Sequence, residues 1–155
     1  MWPFSRRARE ERREEKREWR LADRRERDAH EALLIKAAGI AEASLICHMD
    51  TWWFIVQRCS TGERMDHFSP PGGDVTVADE DGKVTAPLSG RTLAAVLDQM
   101  SEDAEPGTIP TVEQAVATTV RDAIIKALEV DDDRMPVIVI DSRPRLEVDE
   151  GEQQE

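Results

Sequence analysis

A chain of 155 residues with 39% hydrophobic and 35% charged residues is long enough for one ordinary domain with extensions, and its apolar content excludes wholesale disorder. The net charge of -12 sets the bulk of the chain against phosphate backbones and anionic lipid. No apolar run approaches the roughly 20 residues of a membrane-spanning helix, and Met1-Trp2-Pro3-Phe4 is neither a signal-peptide core nor a myristoylated Met-Gly start, so a cytoplasmic location is expected.

Charge is divided along the chain. Residues 1–28 hold 11 Lys and Arg against 8 Asp and Glu, whereas residues 29–155 hold 10 against 25, so any contact with a polyanion must be made by the first segment. Arginine outnumbers lysine 17 to 4 throughout, so arginine count alone does not argue for nucleic-acid binding.

From Ser5 to Asp28 the sequence lacks Gly and Pro and is almost entirely Arg, Glu, Ala and Lys, which predicts a helical arm over residues 1–28. At about 100° per residue, Arg9, Arg12, Arg13, Lys16, Arg17, Arg20, Arg24 and Arg27 fall on one side and Glu10, Glu11, Glu14, Glu15 and Glu18 on the other. Like charges therefore stack at i,i+4, which costs a few tenths of a kcal/mol per pair, while i,i+3 pairs such as Glu10 with Arg13 compensate. A helix divided by charge sign can remain a solvated face, or can read a polyanion, an acidic lipid surface, or a second copy of itself laid antiparallel. Trp2, Phe4 and Trp19 are its candidate apolar anchors. Membrane binding is disfavoured because the side opposite the basic one is acidic rather than apolar.

From Ala29 an apolar stripe appears, comprising Ala29, Leu33, Ala37, Ile40, Ala41 and Leu45, so the arm runs into a helix that docks. Residues Ser44 to Met49 fit either the end of that helix or the start of a strand. Trp52-Trp53-Phe54-Ile55-Val56 is β-branched and aromatic throughout, and with Ser60 to Glu63 behind it reads as the first strand of a hairpin, with Trp52 or Trp53 as a possible interface residue. Pro70 to Gly73 is a turn, and a short hairpin is expected around Asp81-Gly82. A helix capped by Ser89 buries Leu93, Val96, Leu97 and Met100, and Leu88 and Leu93 have the spacing of a hydrophobic staple. After an acidic linker, Thr111 and Gln114 read as a capping box on a helix that buries Val112, Val116, Val120, Ile124, Ala127 and Leu128. Val137 to Ile140 is a short strand, and the acidic tail from Ser142 is expected to be disordered.

The fold class that follows is α+β: a long charged N-terminal helix, then a small domain over residues 29–141 with a short, mostly antiparallel sheet and two helices in its C-terminal half, then the tail over 142–155. The chemistry is sparse. Cys47 and Cys59, the two cysteines, form no CxxC pair. Neither GxSxG, GxxxxGK[ST] nor GxGxxG is present. Cys47, His48, Cys59 and His67 supply zinc-type donors only if the fold gathers them, and Asp131-Asp132-Asp133 places negative charge at a helix C-terminus, where the macrodipole disfavours it. No catalytic residue, metal or cofactor is assigned. The expectation is a non-enzymatic adaptor or assembly protein whose arm binds a protein partner or a second copy. The alternatives are a small metal-dependent hydrolase without a recognisable motif and a nucleic-acid-binding accessory protein acting through the arm's basic side.

Overall fold

A computed structural model describes residues 6–69, 75–78, 80–130 and 134–140. Trp2, Phe4, the Pro70 to Gly73 turn, Asp131 to Asp133, Asp141 and the tail lie outside the described residues. The order of elements is α1 (Arg6–Ala38), β1 (Glu42–His48), α2 (Met49–Cys59), a 3-10 turn (Gly62–Asp66), β2 (Thr76–Ala78), β3 (Lys83–Ser89), α3 (Gly90–Asp103), α4 (Thr111–Glu129) and β4 (Val137–Val139). The strands form one sheet in the order β2-β3-β1-β4, in which β1 is antiparallel to β3 and parallel to β4. This is the expected α+β architecture, with a mixed sheet.

Alternation along the strands decides where the core lies. Ala43, Leu45 and Cys47 of β1, Val84, Ala86 and Leu88 of β3, and Ile138 of β4 are buried, and the register places them on one face: Leu45 is opposite both Ala86 and Ile138. The helices cover that face through Trp52, Ile55, Leu93, Val96, Leu97, Met100, Val120, Ile124 and Leu128. Ile46 on the other face is half-buried, and Val137 and Val139 are exposed.

Residues Ser44 to His48 are strand, which settles the ambiguous segment. The Trp52 to Val56 hairpin is corrected: this segment belongs to α2, which buries Thr51, Trp52, Ile55 and Cys59. His48 Nδ1 accepts the Asp50 N–H at 3.2 Å and ends the strand by capping the helix. Spacing decides the outcome. Trp52, Ile55 and Cys59 recur at helical intervals, and a helix with that stripe inward turns Trp53 outward.

Ser89 caps α3 as expected, accepting the Thr92 N–H at 3.3 Å, and Leu88 and Leu93 are both buried. The capping box on α4 is corrected. Pro110 is the N-cap, and the Gln114 side chain instead reaches back to donate to the Ala104 carbonyl at 3.0 Å across the linker. Val112, expected in the core, is exposed, and burial along α4 starts only at Ala117, Val120, Ile124 and Leu128.

Geometry requires glycine at positions 82 and 90, where the domain meets β1 and α1. Gly82 takes φ +62° in the β2–β3 turn, and its carbonyl accepts the Met49 N–H at 2.8 Å. At Gly90, a Cβ would lie 2.1 Å from the Ile40 carbonyl oxygen and 2.7 Å from that of Ala37, so the start of α3 abuts the end of α1. That contact, with Ala37 fully buried, seats the C-terminal part of α1 in the domain.

Candidate functional site

The candidate site is the arm together with the place where it joins the domain. A helix of 33 residues is about 50 Å long. Every residue from Arg9 to Ala22 is exposed, including the six basic-side candidates up to Arg20 with their acidic counterparts. Arg24 follows and is exposed as well. Ion pairs at i,i+4 brace the helix, among them Arg7 with Glu11 and Arg27 with Asp23. Such exposed pairs contribute about 0.3–0.5 kcal/mol each. Trp19 is 68% exposed.

The arm meets the domain at His30. His30 Nε2 lies 3.0 Å from Asp98 Oδ1 on α3, and because a carboxylate only accepts, that nitrogen carries the proton in the contact. The second oxygen of Asp98 accepts Arg64 Nε at 2.7 Å, and the Arg64 guanidinium also reaches Glu102 at 2.7 Å and Gln99 at 3.1 Å. Burial pushes the Asp98 carboxyl upward in pKa, but hydrogen bonds from His30 and Arg64 outweigh it and hold the group below its ordinary value. A polar line thus runs from α1 through α3 to the 3-10 turn. It continues through Gln99, which donates to Asp103 at 3.0 Å, to Arg58 of α2.

A cleft of about 690 Å³ opens beside this clamp, between α1, α3 and α4. Leu33, Leu34 and Ile125 contribute its apolar lining, and its charged lining is mostly acidic, with Asp23, Glu26, Glu102, Glu105 and Asp122 among the contributors.

The remaining sequence candidates are dispersed. Trp52 is in the core at 6% exposure, whereas Trp53 is 62% exposed on the far side of α2. Cys47 and Cys59 are buried, and burial pushes both thiols up to about 12, which leaves them un-ionised at neutral pH. His48 caps α2, and His67 Nδ1 accepts from Arg91 Nε at 3.1 Å. Among the described residues no three His, Cys, Asp or Glu side chains form a group that could hold a metal ion. Among the same residues no helix is long and apolar enough to cross a membrane.

Sequence reasoning missed the His30, Asp98, Arg64 and Glu102 cluster. His30 had one visible signal, its place on the stripe with Leu33 and Ala37, where a titratable group needs a partner. Comparison with protein-family models, with curated proteins and with solved structures finds no match to this chain.

Proposed function

We propose that this chain is a non-enzymatic interaction protein in which the α+β body anchors a helical arm, and the arm's oppositely charged sides engage a partner. The observation that supports this reading is the continuity of α1. One uninterrupted helix carries an exposed, sign-segregated half and a half locked to the body by Ala37, Gly90 and the His30 with Asp98 contact. The first turn of a helix is costly to nucleate, whereas each further residue adds a hydrogen bond. The docked half of α1 supplies the nucleus, and the exposed half is held out as a stiff rod.

The test is binding by the full chain, by a chain lacking residues 1–22, and by a full chain with the charges of residues 6–22 scrambled at fixed composition. Each is presented to RNA, DNA, anionic vesicles and a second copy of the chain at low and high salt. Binding that falls on scrambling and weakens with salt supports the reading, because the Debye length is about 8 Å at physiological ionic strength. Binding that survives removal of residues 1–22 refutes it.

A further inference from the structure

The cleft beside the His30 clamp has three helical walls. Each presents residues at helical spacing: from Asp23 to Leu34 on α1, from Asp98 through the end of α3 to Glu105, and from Arg121 to Ile125 on α4. Part of the lining opens onto the core. Leu33, Leu34 and Ile125 are half-buried and pack against it, so an apolar side chain entering between them extends the core.

The charge of the cleft is unbalanced. Its lining holds seven carboxylates against three guanidinium groups. All three guanidinium groups are already engaged: Arg27 with Asp23 at 2.7 Å, Arg64 with Asp98 and Glu102 at 2.7 Å, and Arg121 with Asp122 at 2.8 Å. Glu26 and Glu31 on the α1 wall and Glu105 beyond the end of α3 are exposed and have no basic partner among the described residues.

We infer that this cleft receives a basic, amphipathic helical segment of a partner protein. Charge complementarity selects the chemistry of that segment: Lys or Arg side chains meet the three unpaired glutamates, and an apolar side chain reaches Leu33, Leu34 and Ile125. The walls select its conformation. Helices offer no strand edge, so the incoming segment must satisfy its own backbone groups, as a helix does. Asp23 to Leu34 covers about 16 Å of α1, which matches about three turns of a helix laid beside it. The exposed half of the arm is not such a segment, because it is charged on all sides and has Trp19 and Leu21 as its large apolar residues. The site uses residues 23 onward and is independent of whatever that exposed half binds.

The experiment is fluorescence anisotropy of a labelled peptide of about 14 residues, with leucine at i, i+4, i+7 and i+11 and lysine or arginine elsewhere, titrated with the full chain at about 0.15 M salt. Saturable binding is expected, and a peptide of the same composition with its leucines spread around the helix is expected to bind at least about tenfold more weakly. Glu26→Lys and Glu105→Lys together are expected to weaken binding about tenfold or more. Glu42→Lys and Glu129→Lys together change the net charge equally outside the cleft and are expected to leave binding within about twofold. Ile125→Gln is expected to weaken it about threefold to tenfold. Circular dichroism checks that each variant keeps its fold, and amide exchange on the parent complex is expected to slow along residues 23–34 and 121–125. No saturable binding up to about 1 mM, equal binding of the two peptides, or equal losses from the two charge-reversal pairs overturns the inference. Scrambling the charges of residues 6–22 is expected to leave peptide binding unchanged. Loss of peptide binding on scrambling assigns the contact to the arm and overturns the inference, whereas RNA, DNA or vesicle binding that survives scrambling counts against the proposed function and leaves the cleft in place.

Discussion

Arg58 donates two hydrogen bonds, at 2.7 and 2.6 Å, to the carboxylate of Asp103, whose side chain is fully buried. The hydrogen bond to Asp103 raises the Arg58 pKa, so the guanidinium keeps its charge. Arg58→Ala leaves a buried carboxylate with Gln99 as its remaining side-chain donor among those described. The expected loss is about 3 kcal/mol, at the lower end for a broken buried pair because a third of the Arg58 side chain is open to water. Urea denaturation of Arg58→Ala, Asp103→Ala and the double variant measures it, and the double variant is expected to lose less than the sum.

The adjacent tryptophans of α2 differ in the same way that their environments do. Trp52→Ala is expected to cost about 3–5 kcal/mol and to threaten folding of so small a domain. Trp53→Ala is expected to stay within about 0.5 kcal/mol of the parent. Thermal unfolding monitored by circular dichroism separates the two, and equal losses would mean that α2 is misoriented.

That pair also marks where the sequence was legible. Over residues 52–56 five apolar residues in a row carry no period, and β-branched and aromatic types tilted the reading to a strand. Extension to Cys59 reveals the stripe Trp52, Ile55, Cys59, and His48 supplies a cap that is not among the usual N-cap residues. The arm, the Ser89 cap and the last strand were readable because composition, a serine cap with a leucine staple, and a short apolar run each carry a local signal. The His30 with Asp98 clamp was not, since its members are 68 residues apart and only the packing of α1 on α3 joins them. The capping box failed for a related reason, because Gln114 found a better acceptor in the linker.

Cys47 and Cys59 are expected to resist alkylation in the folded protein at pH 8 and to react once unfolded. Both are buried, and both thiols are held near 12, so the thiolate fraction is negligible. Mass spectrometry after iodoacetamide treatment in buffer and in denaturant counts the modified thiols. Rapid labelling of either cysteine in buffer would show that the core opens beneath α2 or β1.

The Asp98 clamp gives the docked half of α1 an acid dependence. A carboxylate with a lowered folded pKa contributes stability above its unfolded value of about 3.9, and the contribution is lost as the pH falls through the folded value. Asp98→Asn is therefore expected to destabilise at pH 7, by about 1 kcal/mol because both His30 and Asp98 are about a third exposed, and to lose that effect as the pH falls through the folded value. Amide exchange along residues 23–38 against pH reads it. An effect that keeps its size as the pH falls would assign the loss to packing instead.

The central claim is that the exposed half of α1 serves association and not folding, and the most direct measurement compares the full chain with a chain lacking residues 1–22. Thermal unfolding and binding to RNA, DNA, anionic vesicles and a second copy of the chain are followed on the same samples at matched concentration and low salt. Removal is expected to leave the melting temperature within about 2 °C, since a loss of about 1 kcal/mol would shift a domain of this size by roughly 4–8 °C. Removal is also expected to eliminate the binding that the full chain shows. A fall of several degrees, or binding retained without residues 1–22, would contradict the account.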